Sequence, residues 1–130
     1  MADDFHQQHK LETYKSLITV SVEGFKFLAL ANGGGAVALL AYLGNVAGKS
    51  PPAPDLTCPI GVFVAGVMLC GLAMVFSYAT QLTLYNEKPR DGDTRGPHQG
   101  SLWAAMVLFV LSLIAFAIGS ISAAVRLHGG

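Results

Sequence analysis

Charge is what this chain has least of. Lysine, arginine, aspartate and glutamate make up 12% of its 130 residues, where an ordinary soluble domain carries about a quarter. The eight basic and eight acidic side chains cancel, so net charge gives the chain no pull toward nucleic acid. Histidine is missing from every long apolar run. His6, His9, His98 and His128 all lie outside them, which argues against haem held between membrane helices. No carboxylate lies within those runs either, so a proton relay of the pump kind lacks its carrier. There is no Ser–His or Cys–His constellation, no glycine-rich phosphate loop and no zinc-ligand spacing. The expectation is a protein that is not an enzyme, with no catalytic residue, cofactor or metal. His6 and His9 sit three apart, but such a pair in a polar segment is ordinarily just solvated.

Cysteine is scarce too. Cys58 and Cys70 fall twelve residues apart on one expected helix, roughly 18 Å along its axis and beyond disulfide reach. A cleavable leader is not expected, because the first apolar run follows a polar segment without a small-residue cleavage site.

What the chain does have is three apolar runs: Phe27–Val46, Ile60–Leu84 and Leu102–Val125. Each is long enough for a helix rising ~1.5 Å per residue to cross a ~30 Å hydrocarbon layer. The second and third are apolar all round, which a small soluble bundle could not afford. The predicted fold is all-α: one integral membrane domain over residues 1–130, with spans at 27–46, 59–85 and 101–126.

The first run is preceded by a patterned segment, residues 3–26. Leu11, Tyr14, Ile18, Ser21, Phe25, Leu28, Asn32, Gly35 and Leu39 recur at spacings of three and four. That is a heptad-like seam, and it passes into the first span without a break. It predicts one long helix starting near Asp3 or Asp4. The alternative is an amphipathic helix lying flat on the membrane, hinged at Gly24. Glu12 with Lys15, and Glu23 with Lys26, are spaced to pair weakly. Asn32 stands where a buried polar residue on a seam fixes register, or bonds a backbone carbonyl of its own bundle. Gly33, Gly34 and Gly35 follow it and read as a surface for close helix approach.

Residues 47–57 form a turn stiffened by Pro51, Pro52 and Pro54. Thr57 or Cys58 is placed to cap the second helix, with Pro59 in its first turn. The second helix carries Gly66, Cys70, Ala73, Ser77 and Thr80 as a small-residue stripe, to which Gly61 and Gly71 add. Tyr78, Tyr85 and Trp103 fit interfacial belts. Residues 86–100 read as a solvated loop of mixed charge; Asp91 and Asp93 lack the closing glutamate of a calcium loop. Ser101 is the expected cap of the third helix, whose stripe is Ala105, Leu108, Ser112, Ala115, Gly119 and Ser122.

Lysine and arginine give the orientation. Lys10, Lys15 and Lys26 precede the first span, and Lys88, Arg90 and Arg95 lie between the second and third. Lys49 and Arg126 stand alone on the other side. The expectation is a cytoplasmic amino terminus and an external carboxyl terminus.

Function then has two candidates. Small-residue stripes beyond what three helices use suggest a homo-oligomer, with the lipid bilayer as its surroundings. A ring of copies would form a pore or channel-like protein. Its interface would carry Asn32 as a polar ring, Gly33, Gly34 and Gly35 as close-approach positions, and Glu23 and Lys26 at the mouth. The alternative is a structural membrane anchor that docks a protein partner through its N-terminal helix.

The segment running from Ala31 to Asn45, A-N-G-G-G-A-V-A-L-L-A-Y-L-G-N, resembles the first-span signature of a loose group of small bacterial three-span membrane proteins. In that group an N-G-G element leads into an A-L-L-x-x-L-G run after a charged helix. The resemblance implies a bacterial inner membrane and carries no activity with it. Three-span phage holins are of similar size. They usually end in a strongly basic tail and tend to place the amino terminus outside, and this chain departs on both counts.

Overall fold

The computed structural model describes residues 2–49, 53–86 and 98–128. Helix α1 spans Ala2–Val46, α2 Thr57–Asn86 and α3 His98–His128. All three are long and apolar enough to cross a membrane, and no strand occurs among the described residues. The chain is an all-helical integral membrane protein. The mixed-charge loop with Lys88, Arg90, Asp91, Asp93 and Arg95 lies outside the described residues, as do Pro51 and Pro52.

Helix α1 runs unbroken through Gly24 for 45 residues, about 67 Å of helix. The hinge alternative is not adopted. Gly24 faces the Phe109 ring of α3, 3.1 Å from where a β-carbon would sit. The helix ends at Val46 because Gly48 takes a φ of 74°, a left-handed value suited to glycine. Ala47 N–H still reaches Leu43 O at 3.0 Å, and Lys49 N–H closes onto Val46 O at 3.1 Å.

Two helix starts differ from expectation. Asp55, rather than Thr57 or Cys58, caps α2: its Oδ1 accepts from Thr57 N–H at 3.0 Å. An acceptor two residues upstream reaches an orphan N–H that a hydroxyl on the helix itself cannot. Helix α3 begins at His98, so Ser101 lies inside its first turns. There its hydroxyl meets Thr80 Oγ1 at 2.8 Å and ties α3 to α2.

Asp55 also closes the opposite end of the bundle. Arg126 Nη1 donates to Asp55 O at 2.8 Å and lies 3.4 Å from its Oδ2. The Thr57 hydrogen bonds first, and the Arg126 charge second, hold the Asp55 carboxyl below its ordinary range. A lowered folded value means that this contribution is complete at neutral pH and is lost as pH falls below about 4. Thermal unfolding in detergent should therefore be flat from pH 8 to about pH 5 and decline below about pH 4. Asp55→Asn should decline less over the same acid range. An equal decline in both proteins would assign the acid sensitivity elsewhere.

With Arg126 taken at one membrane interface, helix length gives the level of the other. Asn32 hydrogen-bonds Ser112, and α1 and α3 run in the same direction, so Val46 comes level with Arg126. Counting back about twenty residues, or 30 Å, reaches Lys26 on α1 and Met106 on α3. The exposed Tyr78 and Trp103 lie just beyond that level, where interfacial aromatics belong. On that placement Asn32 and Ser112 would lie about 9 Å inside it.

Candidate functional site

Two features of this bundle go beyond filling space: a polar junction inside it and a bare helix outside it. The junction is Asn32 of α1, Gly66 of α2 and Ser112 of α3. Asn32 and Ser112 are both 0% exposed. Asn32 Nδ2 donates to Leu28 O at 3.1 Å and is shared between Ser112 O and Ser112 Oγ at 3.3 Å. Ser112 Oγ donates in turn to Gly66 O at 2.8 Å. The side-chain donors of Asn32 and Ser112 thus find acceptors on all three helices, as carbonyls already in the helix ladders take a second hydrogen bond.

Asn32 Oδ1 has no N–H or O–H partner. It lies where a β-carbon on Gly66 would go, so a Cα–H of Gly66 points at it. That is a weak Cα–H···O contact, the kind made where helices come close. The opposite amide orientation would aim the oxygen at two carbonyls. Gly66 is therefore there to let the amide in.

One layer away, Phe63 of α2 lies between Gly35 of α1 and Gly119 of α3. β-Carbons on those glycines would lie 2.6 Å and 3.0 Å from its ring. Phe63 is buried and packs with Ala36, Leu39, Leu56 and Ala123. Phe116 meets it with ring centroids 6.0 Å apart. On the other side of the junction, Phe25 and Phe109 pack edge to face at 5.5 Å.

The residues expected to form one pore or oligomer surface do not share a face. Asn32 and Gly35 point into the protomer's own core. Gly33 is half-buried, with Val67 4.0 Å from its β-carbon position. Gly34 has nothing within 4 Å. Glu23 and Lys26 form an exposed ion pair at 2.8 Å. Asn32 is enclosed in its own bundle, with its NH₂ bonded to Leu28 and Ser112. Most of the small-residue stripes also pack within the protomer. Gly66, Cys70, Ala73 and Thr80 are buried on α2, and Ala105, Ser112, Ala115 and Gly119 on α3. Gly61 and Gly71, by contrast, have nothing near them and do not belong to the α2 stripe.

Comparison with protein-family models, with curated proteins and with solved structures found no match. The chemistry must be read from the chain itself. No group of metal-binding side chains occurs among the described residues.

The second feature is the amino-terminal part of α1. From residue 7 to residue 23 every position is exposed except Ile18. Leu11, Leu17 and Val20 are 60%, 62% and 68% exposed, and Tyr14 is exposed beside them. Leu11, Tyr14 and Ile18 continue the helix face that buries Leu28 and Asn32 lower down. Where α1 parts from α3, an open crevice of about 380 Å³ is lined by Val20, Ser21, Phe25, Leu102, Met106 and Phe109. Of the spaced ion pairs, Glu23–Lys26 forms. Glu12 and Lys15 make none among the described residues. The sequence pattern had identified this seam but could not show where its partners stop.

Proposed function

We propose that the chain is a membrane-embedded assembly subunit. Three spans hold it in the bilayer, and the free part of α1 docks a protein partner. The observation that carries this is the apolar stripe of exposed Leu11 and Tyr14 and half-buried Ile18, on a helix unbroken from the apolar span. A stripe with its own rigid mount is a docking element, since an isolated helix of that length gains little by standing free in water. The proposed setting is a bacterial inner membrane, with this helix in the cytoplasm by the distribution of lysine and arginine.

The native mass of the complex, extracted gently from its own host membrane, tests this. A stoichiometric second polypeptide supports the anchor. A closed set of identical copies alone overturns it and supports the homo-oligomer, the second reading.

That second reading has one observation of its own: the outward face of α1. Leu30 and Val37 are exposed there and Gly34 is open, a combination that lets another helix approach. Gly34→Leu touches nothing inside the protomer. It should leave the stability of the monomer between that of wild type and about 1 kcal/mol above it, since leaving glycine raises helix propensity. If copies pack on that face, the same change should reduce native mass.

A further inference from the structure

The free stripe carries its own statement about what covers it, and the statement is in its flanking charges. With Leu11, Ile18 and Phe25 in the first apolar position of the heptad and Tyr14, Ser21 and Leu28 in the second, the edges of the seam are set. Lys10 and Leu17 lie along one edge, and Lys15 and Val22 along the other. Both charged edge residues are lysines. Glu12 lies on the back of the helix, away from the seam. Lys10 and Lys15 are exposed and make no ion pair among the described residues.

A second copy is a poor occupant of such a seam. Copies of one membrane protein insert the same way, so their α1 helices could pair only in parallel. In a parallel pair each edge residue faces the opposite edge of the partner one heptad on. Lys10 of one copy would then meet Lys15 of the other, on both sides of the two-fold pair. Like charges so placed select against self-pairing. The membrane surface is a poor occupant as well. A helix lying flat would have to break near Gly24, and α1 is continuous there.

Resting on the docking reading above, we propose that the partner is an amphipathic helix whose apolar face is edged with glutamate or aspartate. It lies along residues 11–25 of α1. Its carboxylates would pair with Lys10 and Lys15 on either side of the apolar seam. The apolar crevice against Leu102 and Met106 would receive its membrane-proximal end. Tyr14 contributes a ring to the seam, and Ser21 a small residue where the two helices converge on α3.

The test uses the full chain in nanodiscs of zwitterionic lipid and two synthetic helices of about three heptads. Both have leucine at the two apolar positions. One has glutamate at every edge position and the other has lysine. Binding is read by fluorescence anisotropy of the labelled peptide. The glutamate-edged helix should bind at least about tenfold tighter, the sum of a few exposed pairs and the matching repulsions. The double variant Lys10→Glu, Lys15→Glu should reverse the preference, and added salt should shrink it in both proteins.

Equal affinity for the two peptides, or a preference that the double variant leaves unchanged, would overturn the acidic partner while leaving a docking helix in place. Binding of neither peptide would overturn both. Nanodiscs containing anionic lipid provide the last arm. If residues 11–20 gain protection from hydrogen exchange there without any peptide, and the peptides then fail to bind, the occupant is the lipid surface and the proposal falls.

Discussion

Gly66→Ala should lower the thermal midpoint in detergent by several degrees, although it adds one methyl group and improves helix propensity. In an open helix position the exchange stabilises by about 1 kcal/mol. Gly61→Ala and Gly71→Ala, on the same helix with nothing near their β-carbon positions, should show that gain or remain neutral. At Gly66 the new β-carbon lands on the amide of Asn32. The neighbour that must yield is a side chain held by hydrogen bonds to two helices, not the loose end of a flexible chain. Moving it breaks the Nδ2 contacts with Ser112 and leaves the amide donor of Asn32 unsatisfied inside the bundle. Overpacking of this kind costs about 1–3 kcal/mol, enough to reverse the propensity gain. Asn32→Ala combined with Gly66→Ala should lose less than the two single losses added together, because the collision vanishes with the amide. Additive losses would mean that the amide and the glycine do not share one site.

The three spans were legible because an apolar run is a one-dimensional signal: length and composition decide it without knowing any neighbour. Asn32 was legible as an exceptional residue for the same reason. Its partners were not, since Ser112 stands eighty residues away and nothing local marks it among several serines. The three consecutive glycines show where pattern stops. Gly33, Gly34 and Gly35 are equivalent in sequence, yet each step turns about 100° around the helix. Only Gly35 meets the Phe63 ring, whereas Gly34 faces away from the protein. Which glycine matters is set by the rotation of α1 in the bundle, and Phe63 on another helix helps fix that rotation. The stripes on α2 and α3 were legible as close-packing faces, and most of their residues pack within the protomer. Spacing identifies a face that can pack closely and says nothing about which helix packs there. Asp55 was missed as a cap because its reach depends on the path of the turn before α2. Its link to Arg126 joins residues seventy-one positions apart.

Asn32→Asp should be the most destabilising change of a single functional group in the bundle, and its cost should depend on pH. The substitution keeps the shape and replaces the NH₂ that serves Leu28 O, Ser112 O and Ser112 Oγ. An ionised carboxylate there would face carbonyl oxygens about 9 Å inside the hydrocarbon layer with no cation beside it. The group must stay protonated to remain folded. The folded state then holds a proton that the unfolded state releases, and stability falls as pH rises above about 4. At pH 7 the loss relative to wild type should exceed about 3 kcal/mol. Near pH 4 the neutral acid can donate one hydrogen bond, and most of that loss should be recovered. Asn32→Leu is the control. It removes the same donors without introducing a charge, should cost about 1–3 kcal/mol, and should show no pH dependence beyond that of wild type. Its native mass should be unchanged, because Asn32 is fully enclosed in one copy. If Asn32→Asp unfolded at the same temperature at pH 4 and pH 8, water or a second copy would have to reach the amide. The junction would then be a lined path rather than a sealed layer, and the pore reading would return on that evidence.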